Sequence, residues 1–176
     1  MNPTDLEKLR SSIRDILDFP KPGIIFKDIT PVLSDPDLFR SVIGHFVERA
    51  RLVGATKVAG IDARGFLFGA TVAYQLGVGF VPIRKKGKLP YKTISQAYDL
   101  EYGQSEVEIH IDAFDPSDRV VLVDDLLATG GTAAAALSLI ESTGATVVEA
   151  QFLIELAFLN GRARLAPHCP ESILIF

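Results

Sequence analysis

Cysteine is nearly absent: Cys169 stands alone, which rules out an internal disulfide and a cysteine metal cluster. The three histidines, His45, His110 and His168, form no ligand-spaced pair and read as structural or exposed residues. No apolar run approaches the roughly 18 residues of a membrane span. The stretch Met1-Asn2-Pro3-Thr4-Asp5-Leu6-Glu7 has neither the basic start nor the apolar core of a signal peptide. An excess of positive charge is lacking as well. The formal net charge is −4, so the chain as a whole lacks an electrostatic footprint for nucleic acid or an anionic membrane. These gaps point to a cytoplasmic protein. Two common phosphate loops are missing too: no lysine follows Gly131 to complete a Walker loop, and Pro82 stands where the dinucleotide fingerprint begun by Gly77-Val78-Gly79 needs its third glycine. No nucleophilic triad, internal repeat, low-complexity tract or interdomain linker is visible.

What remains is ordinary globular material. With 176 residues, 48% hydrophobic and 23% charged, the chain suits one domain, 1–176, with a sizeable core. Thr4-Asp5-Leu6-Glu7 matches a capping box, and Leu6, Leu9, Ile13, Ile16 and Leu17 keep helical spacing, so a first helix is predicted to about Leu17. Phe19-Pro20-Lys21-Pro22-Gly23 forces an extended or turning path. Asp35-Pro36 supplies an N-cap and a first-turn proline for a second helix to about Arg51. Strands are predicted over 57–61, 80–83, 145–155 and 172–176, helices over 65–76 and 133–142, and a short helical turn over 162–165. The segments 98–101 and 106–111 flank Tyr102-Gly103-Gln104-Ser105 and suit an antiparallel hairpin. Strands alternating with helices imply an α/β fold, a mainly parallel twisted sheet flanked by helices. Ligands of such sheets bind beyond the carboxyl ends of the strands.

The densest chemistry lies at 120–132. Val120-Val121-Leu122-Val123 reads as a strand buried on both faces, followed at its carboxyl end by Asp124 and Asp125. A small-residue turn, Ala128-Thr129-Gly130-Gly131-Thr132, then leads into an alanine-rich helix. The free N–H groups of that turn and the helix dipole make an anion cradle. Gly130 and Gly131 let a phosphate approach the backbone, and the Thr129 and Thr132 hydroxyls can donate. The two acids either cap the helix or serve what sits beside a phosphate, such as sugar hydroxyls or Mg²⁺. Two further strand ends carry polar groups: Asp62-Ala63-Arg64-Gly65, where Gly65 permits an unusual backbone, and the cation run Arg84-Lys85-Lys86-Gly87-Lys88. Each alone could be a solvated surface; together they suit a polyphosphate. Glu101 and Tyr102 have a bland reading as exposed hairpin residues, and Phe26 as core.

The run from Val120 to Thr132 resembles the phosphoribosyl-diphosphate signature of the type I phosphoribosyltransferases. Phe19-Pro20-Lys21-Pro22-Gly23-Ile24-Ile25-Phe26-Lys27-Asp28-Ile29-Thr30-Pro31, Ala63-Arg64-Gly65-Phe66-Leu67-Phe68-Gly69 and Leu100-Glu101-Tyr102-Gly103 are similar to segments of that family's adenine-using branch. The resemblance covers about 18–161. It implies a small N-terminal hood (about 1–34), a mobile loop and hairpin (about 84–111, with 86–105 as a lid), a homodimer, and Mg²⁺ as cofactor. The implied reaction joins adenine to phosphoribosyl diphosphate, giving AMP and diphosphate in purine salvage. Ala128, Thr129, Gly130, Gly131 and Thr132 would hold the 5′-phosphate, and Asp124 and Asp125 the ribose hydroxyls. Asp62, Ala63, Arg64, Arg84, Lys85, Lys88 and Tyr102 would meet the diphosphate. Ile25, Phe26 and Lys27 would take adenine, and Glu101 the proton of the attacking base. Mg²⁺ would be held mainly by substrate, with Asp124 and Asp125 as candidate protein contacts. Lys27 replaces the arginine usual in the hood and loses its planar fork. Ala63 replaces the serine of some relatives. A cis peptide at Asp62-Ala63 is expected, aiming N–H groups at diphosphate. Another base, or a nucleic-acid-binding regulator on the same fold, are the competing readings; the net charge of −4 counts against the second.

Overall fold

The computed structural model describes residues 1–99 and 104–176. Two compact units make up the chain, Met1–His45 and Phe46–Phe176.

In the first unit, α1 (Pro3–Ser12) starts two residues earlier than the capping-box reading and stops well short of Leu17. Asn2, not Thr4, is the cap: its Oδ1 accepts the Asp5 N–H at 2.8 Å, with Pro3 at the first helical position. The predicted continuation is instead a strand, β1 (Arg14–Leu17), paired antiparallel with β2 (Ile25–Asp28). Two cross-strand ion pairs oppose the helical alternative, Arg14 Nη2 to Asp28 Oδ2 at 2.6 Å and Lys27 Nζ to Asp15 Oδ1 at 2.7 Å. Ser11 and Ser12 hydroxyls donate to the carbonyls of Lys8 and Leu9 and close the helix. A short α2 (Thr30–Ser34), unforeseen in the sequence, follows. The helix α3 (Pro36–Leu52) starts as expected, Asp35 Oδ1 accepting the N–H groups of Asp37 and Leu38.

The second unit is built on a seven-stranded sheet in the order β5-β6-β4-β3-β7-β8-β9. Here β3 is Lys57–Ile61, β4 Gly79–Lys85, β7 Arg119–Leu127, β8 Thr146–Glu155 and β9 Glu171–Ile175. These five run parallel, as the alternation of strands and helices predicts. β5 (Thr93–Asp99) and β6 (Gln104–His110) pair antiparallel as expected, but Gln104 and Ser105, read as part of the connection, lie in β6, and β6 joins β4 antiparallel at Arg84↔Glu108 and Lys85↔Val107. The segment read as a lid is therefore partly sheet, since β5 begins at Thr93. Helix α4 (Arg64–Leu76) links β3 to β4, and α5 (Gly131–Glu141) links β7 to β8.

Val120, Val121, Leu122 and Val123 are all fully buried, which needs cover on both faces. Ala59, Ile61, Val120 and Leu122 belong to one apolar cluster with Ala136, Leu137 and Ile140 of α5. The alternate residues point to the other face, where α4 packs on β3, β4 and β7; α5 also packs on β5 and β6. No helix among the described residues is long and apolar enough to cross a membrane.

Candidate active site

Strand β7 is asymmetric at its end. Its pairing with β3 stops at Val123↔Gly60, while its pairing with β8 runs on to Leu127↔Glu155. Asp124 and Asp125 thus sit inside the strand, not after it, on a stretch open along the β3 side. The strand holds them rigidly, and the gap gives access.

The chain then turns. Gly130 has φ 80°, a left-handed conformation that favours glycine, and α5 begins at Gly131. The Ala134 N–H bonds the Gly130 carbonyl at 2.8 Å, closing the first turn. The N–H groups before it point out of the helix end. No side chain caps that end: Gly130 is the N-cap and makes no side-chain hydrogen bond. The acids do not cap α5, so the bland reading of Asp124 and Asp125 fails.

A cleft of about 280 Å³ opens here, lined by Ile61, Asp62, Ala63, Arg64, Lys85, Tyr98 and every residue from Asp124 to Ala133. Three separate strand ends, those of β3, β4 and β7, therefore converge as expected. Asp62, Ala63, Arg64, Lys85, Asp124, Asp125, Ala128, Thr129, Gly130, Gly131 and Thr132 are brought together. The Asp62–Ala63 peptide is cis, as expected. Gly65 plays a different part from the one read for it: it lies in α4 with no positive φ. A Cβ there would fall 2.8 Å from both Asp124 Oδ1 and the Val123 carbonyl. The glycine supplies room for α4 to start against β7.

Burial and then the like charge of Asp125 push the Asp124 carboxyl well above the usual carboxylate range. Burial pushes Asp125 up as well, against the pull of Arg64, whose Nε lies 2.8 Å from Asp125 Oδ2. Asp124 Oδ1 accepts the Asp125 N–H at 2.9 Å. Two acids held side by side in a cleft, one of them paired with a guanidinium, favour a positive centre or hydroxyl donors beside them.

The cation run divides. Lys85 lines the cleft, whereas Arg84 and Lys88 do not. Arg84 Nε meets Asp62 Oδ2 at 3.2 Å and its Nη1 donates to the Lys88 carbonyl at 2.8 Å. Lys86 pairs with Glu106 at 2.7 Å. Buried Glu108 holds the loop behind them: its Oε1 accepts the N–H groups of Lys88 and Leu89 at 2.9 and 3.0 Å. Ile25, Phe26 and Lys27 lie on β2 in the first unit, with the Phe26 ring edge-on to Phe19 at 5.3 Å. Glu101 and Tyr102 lie outside the described residues. Sequence reasoning missed Tyr98 and Glu108. Neither carries a local signal, since one enters the cleft and the other reaches the cation loop only through strand pairing.

A parallel sheet with an amide cradle, paired acids and a lysine at adjoining strand ends has the form of a phosphoribosyl transferase domain, and the model of that domain family matches residues 50–166. The adenine phosphoribosyltransferase of Acidothermus cellulolyticus is 54% identical over 175 residues, 99% of each chain. The crystal structure of adenine phosphoribosyltransferase from Thermoanaerobacter pseudethanolicus has a TM-score of 0.94 at 51% identity, covering 97% of this chain and 99% of that one. That of the Saccharomyces cerevisiae enzyme, complexed with an imino-altritol bisphosphate and adenine, has a TM-score of 0.92 at 39% identity, covering 98% and 100%. The chain belongs to the adenine phosphoribosyltransferases, an enzyme family of transferases.

Proposed function

We propose that the chain transfers the 5-phosphoribosyl group of phosphoribosyl diphosphate to adenine, giving AMP and diphosphate, as a step of purine salvage. The observation that carries this reading is the cleft itself: two acids of raised pKa beside an uncapped helix start, with Lys85 at the end of β4 and Arg64 at the start of α4 in the same lining. The amides of Ala128, Thr129, Gly130, Gly131 and Thr132 take the 5′-phosphate. Asp124 and Asp125 take the ribose hydroxyls and face the charge that develops at C1. Asp62 and Ala63 line the diphosphate side, Arg64 and Lys85 neutralise it, and Arg84, Lys88 and Tyr102 are assigned to the same group. Ile25, Phe26 and Lys27 are assigned to adenine.

The chemistry needs little from the protein beyond placement. A ring nitrogen of adenine bonds to C1 as the bond from C1 to the diphosphate oxygen breaks, through an oxocarbenium-like transition state. The electron pair leaves with diphosphate, and the proton of the attacking nitrogen passes to Glu101. Asp124 and Asp125, on the cleft wall, would be the protein groups for a Mg²⁺ carried chiefly on substrate oxygens, because such ions keep waters and use one or two carboxylates. When bound, Mg²⁺ neutralises leaving-group charge. A homodimer in the cytoplasm completes the reading.

The test is a panel of adenine, hypoxanthine, guanine and orotate with phosphoribosyl diphosphate and the purified protein. AMP from adenine is expected. Turnover of hypoxanthine or orotate with none of adenine overturns the base assignment.

A further inference from the structure

Behind the turn assigned to the 5′-phosphate runs a second piece of backbone. A Cβ placed on Gly161 would lie 2.1 Å from the Ala128 carbonyl oxygen and 2.9 Å from the Gly130 nitrogen, and one on Gly130 would lie 2.5 Å from the Gly161 carbonyl oxygen. The two segments touch main chain to main chain. Gly161 has no positive φ, so the demand for glycine there is one of room alone.

Gly161 is also held in place. It opens α6 (Gly161–Arg164), and the next residue, Arg162, forks onto Glu155: Nε to Oε1 at 3.0 Å and Nη2 to Oε2 at 2.6 Å. Its Nη1 donates to the Pro170 carbonyl at 2.7 Å, and Ser172 Oγ donates to Glu155 Oε2 at 2.8 Å. Glu155 is buried at the end of β8, in register with Leu127, the residue just before the turn. The Leu156 N–H bonds the Leu127 carbonyl at 2.9 Å. Leu127, the turn, Gly161, Arg162 and Glu155 therefore close a ring of contacts. A planar bidentate pair fixes orientation as well as distance.

We propose that Gly161, clamped by the Arg162–Glu155 fork, is a positioning residue. Its bare backbone sets the curvature of the 128–130 turn, and so the aim of the N–H groups that grip the sugar's terminal phosphate. The inference rests on the assignment of that phosphate to 128–132.

The test separates the two ends of the substrate by measuring calorimetric affinities for ribose 5-phosphate and for diphosphate alone. Losing a charge-assisted N–H contact to a phosphate costs about 10- to 150-fold in affinity, so Gly161→Ala is expected to weaken ribose 5-phosphate within that range and leave diphosphate within about twofold. Arg162→Lys keeps the charge and loses the fork, and is expected to lose about tenfold for ribose 5-phosphate alone, with an unchanged far-UV circular dichroism spectrum. Should Gly161→Ala fail to fold, Arg162→Lys decides. Unchanged ribose 5-phosphate affinity in Arg162→Lys, or an equal loss for both ligands, overturns the inference. Thr132→Asp, which sets a negative charge beside those amides, reports on the underlying assignment. If it leaves ribose 5-phosphate binding intact, the phosphate site itself is lost and the inference with it. If it weakens binding while both positioning variants do not, only the positioning role falls.

Discussion

Replacing Asp125 by Asn separates scaffold from chemistry in a single variant. The side chain keeps its size and loses its charge in a position that is 5% exposed. Two stability effects then oppose each other. Arg64 loses its carboxylate partner at 2.8 Å, but its side chain is 39% exposed, so water can take over. Asp124 loses the like charge that raises its pKa. The net change in folding stability is expected to stay within about 1 kcal/mol, because a strained buried charge cluster contributes little or negatively to stability. Substrate sees a different change. Hydrogen bonds to a charged acceptor contribute roughly 1.5–3 kcal/mol, so kcat/KM should fall by roughly 10- to 150-fold.

The pH dependence adds a second readout. Both acids have folded pKa values raised above 3.8, so as pH rises past the ordinary carboxylate range the folded state binds more protons than the unfolded one. Stability then falls with rising pH through the window between the ordinary and the raised values. Removing one acid should flatten that slope. The assay is AMP formation under varied substrate, alongside urea denaturation at several pH values. Unchanged kinetics, or a stability loss above about 2 kcal/mol with full activity, would refute the reasoning and make Asp125 a structural partner of Arg64.

Three further outcomes are expected. Glu101→Gln should lower kcat by about 10²- to 10⁴-fold, the range of a lost proton-handling group, with AMP affinity unchanged in equilibrium binding; equal turnover removes that role. At Glu108, burial pushes the carboxyl up, but the N–H groups of Leu89, Gly87 and Lys88 and the Thr93 hydroxyl hold it below its ordinary value. Its stabilisation is present above the unfolded pKa and lost as pH falls through the lowered folded one, so Glu108→Gln should cost about 1–3 kcal/mol at neutral pH and converge with wild type in acid. Asn2→Ala should cost about 1 kcal/mol in thermal unfolding through the lost cap, with kinetics untouched.

The elements that sequence displayed best carry unbroken apolar runs or strong helix formers. β3 falls on its predicted limits, and α4 and α5 lie within one and two residues of theirs, because such runs leave few alternatives. The amide cradle was legible for the same reason: its glycines and hydroxyls are contiguous. The end of α1 was not, since Ile13, Ile16 and Leu17 satisfy helical spacing, and only β2, a distant partner, turns Arg14–Leu17 into a strand. The cap went astray because Thr4 and Glu7 fit a motif that Asn2, with Pro3 behind it, pre-empts. In the site, Arg84 reads as a free cation until folding sets it on Asp62, and Gly161 has no motif at all.

The β5–β6 hairpin has an unusual mounting. It is stitched to the parallel strands at Arg84 and Lys85 and propped from beneath by α5. One fastening is the base of a cation at the cleft; the other is the rod whose tip forms the amide cradle. A load applied to the hairpin is therefore transmitted to both ends of whatever the cleft holds, and Tyr98, carried on β5, travels with it. Substitutions along this strut should alter grip on both charged ends at once, even where they touch neither.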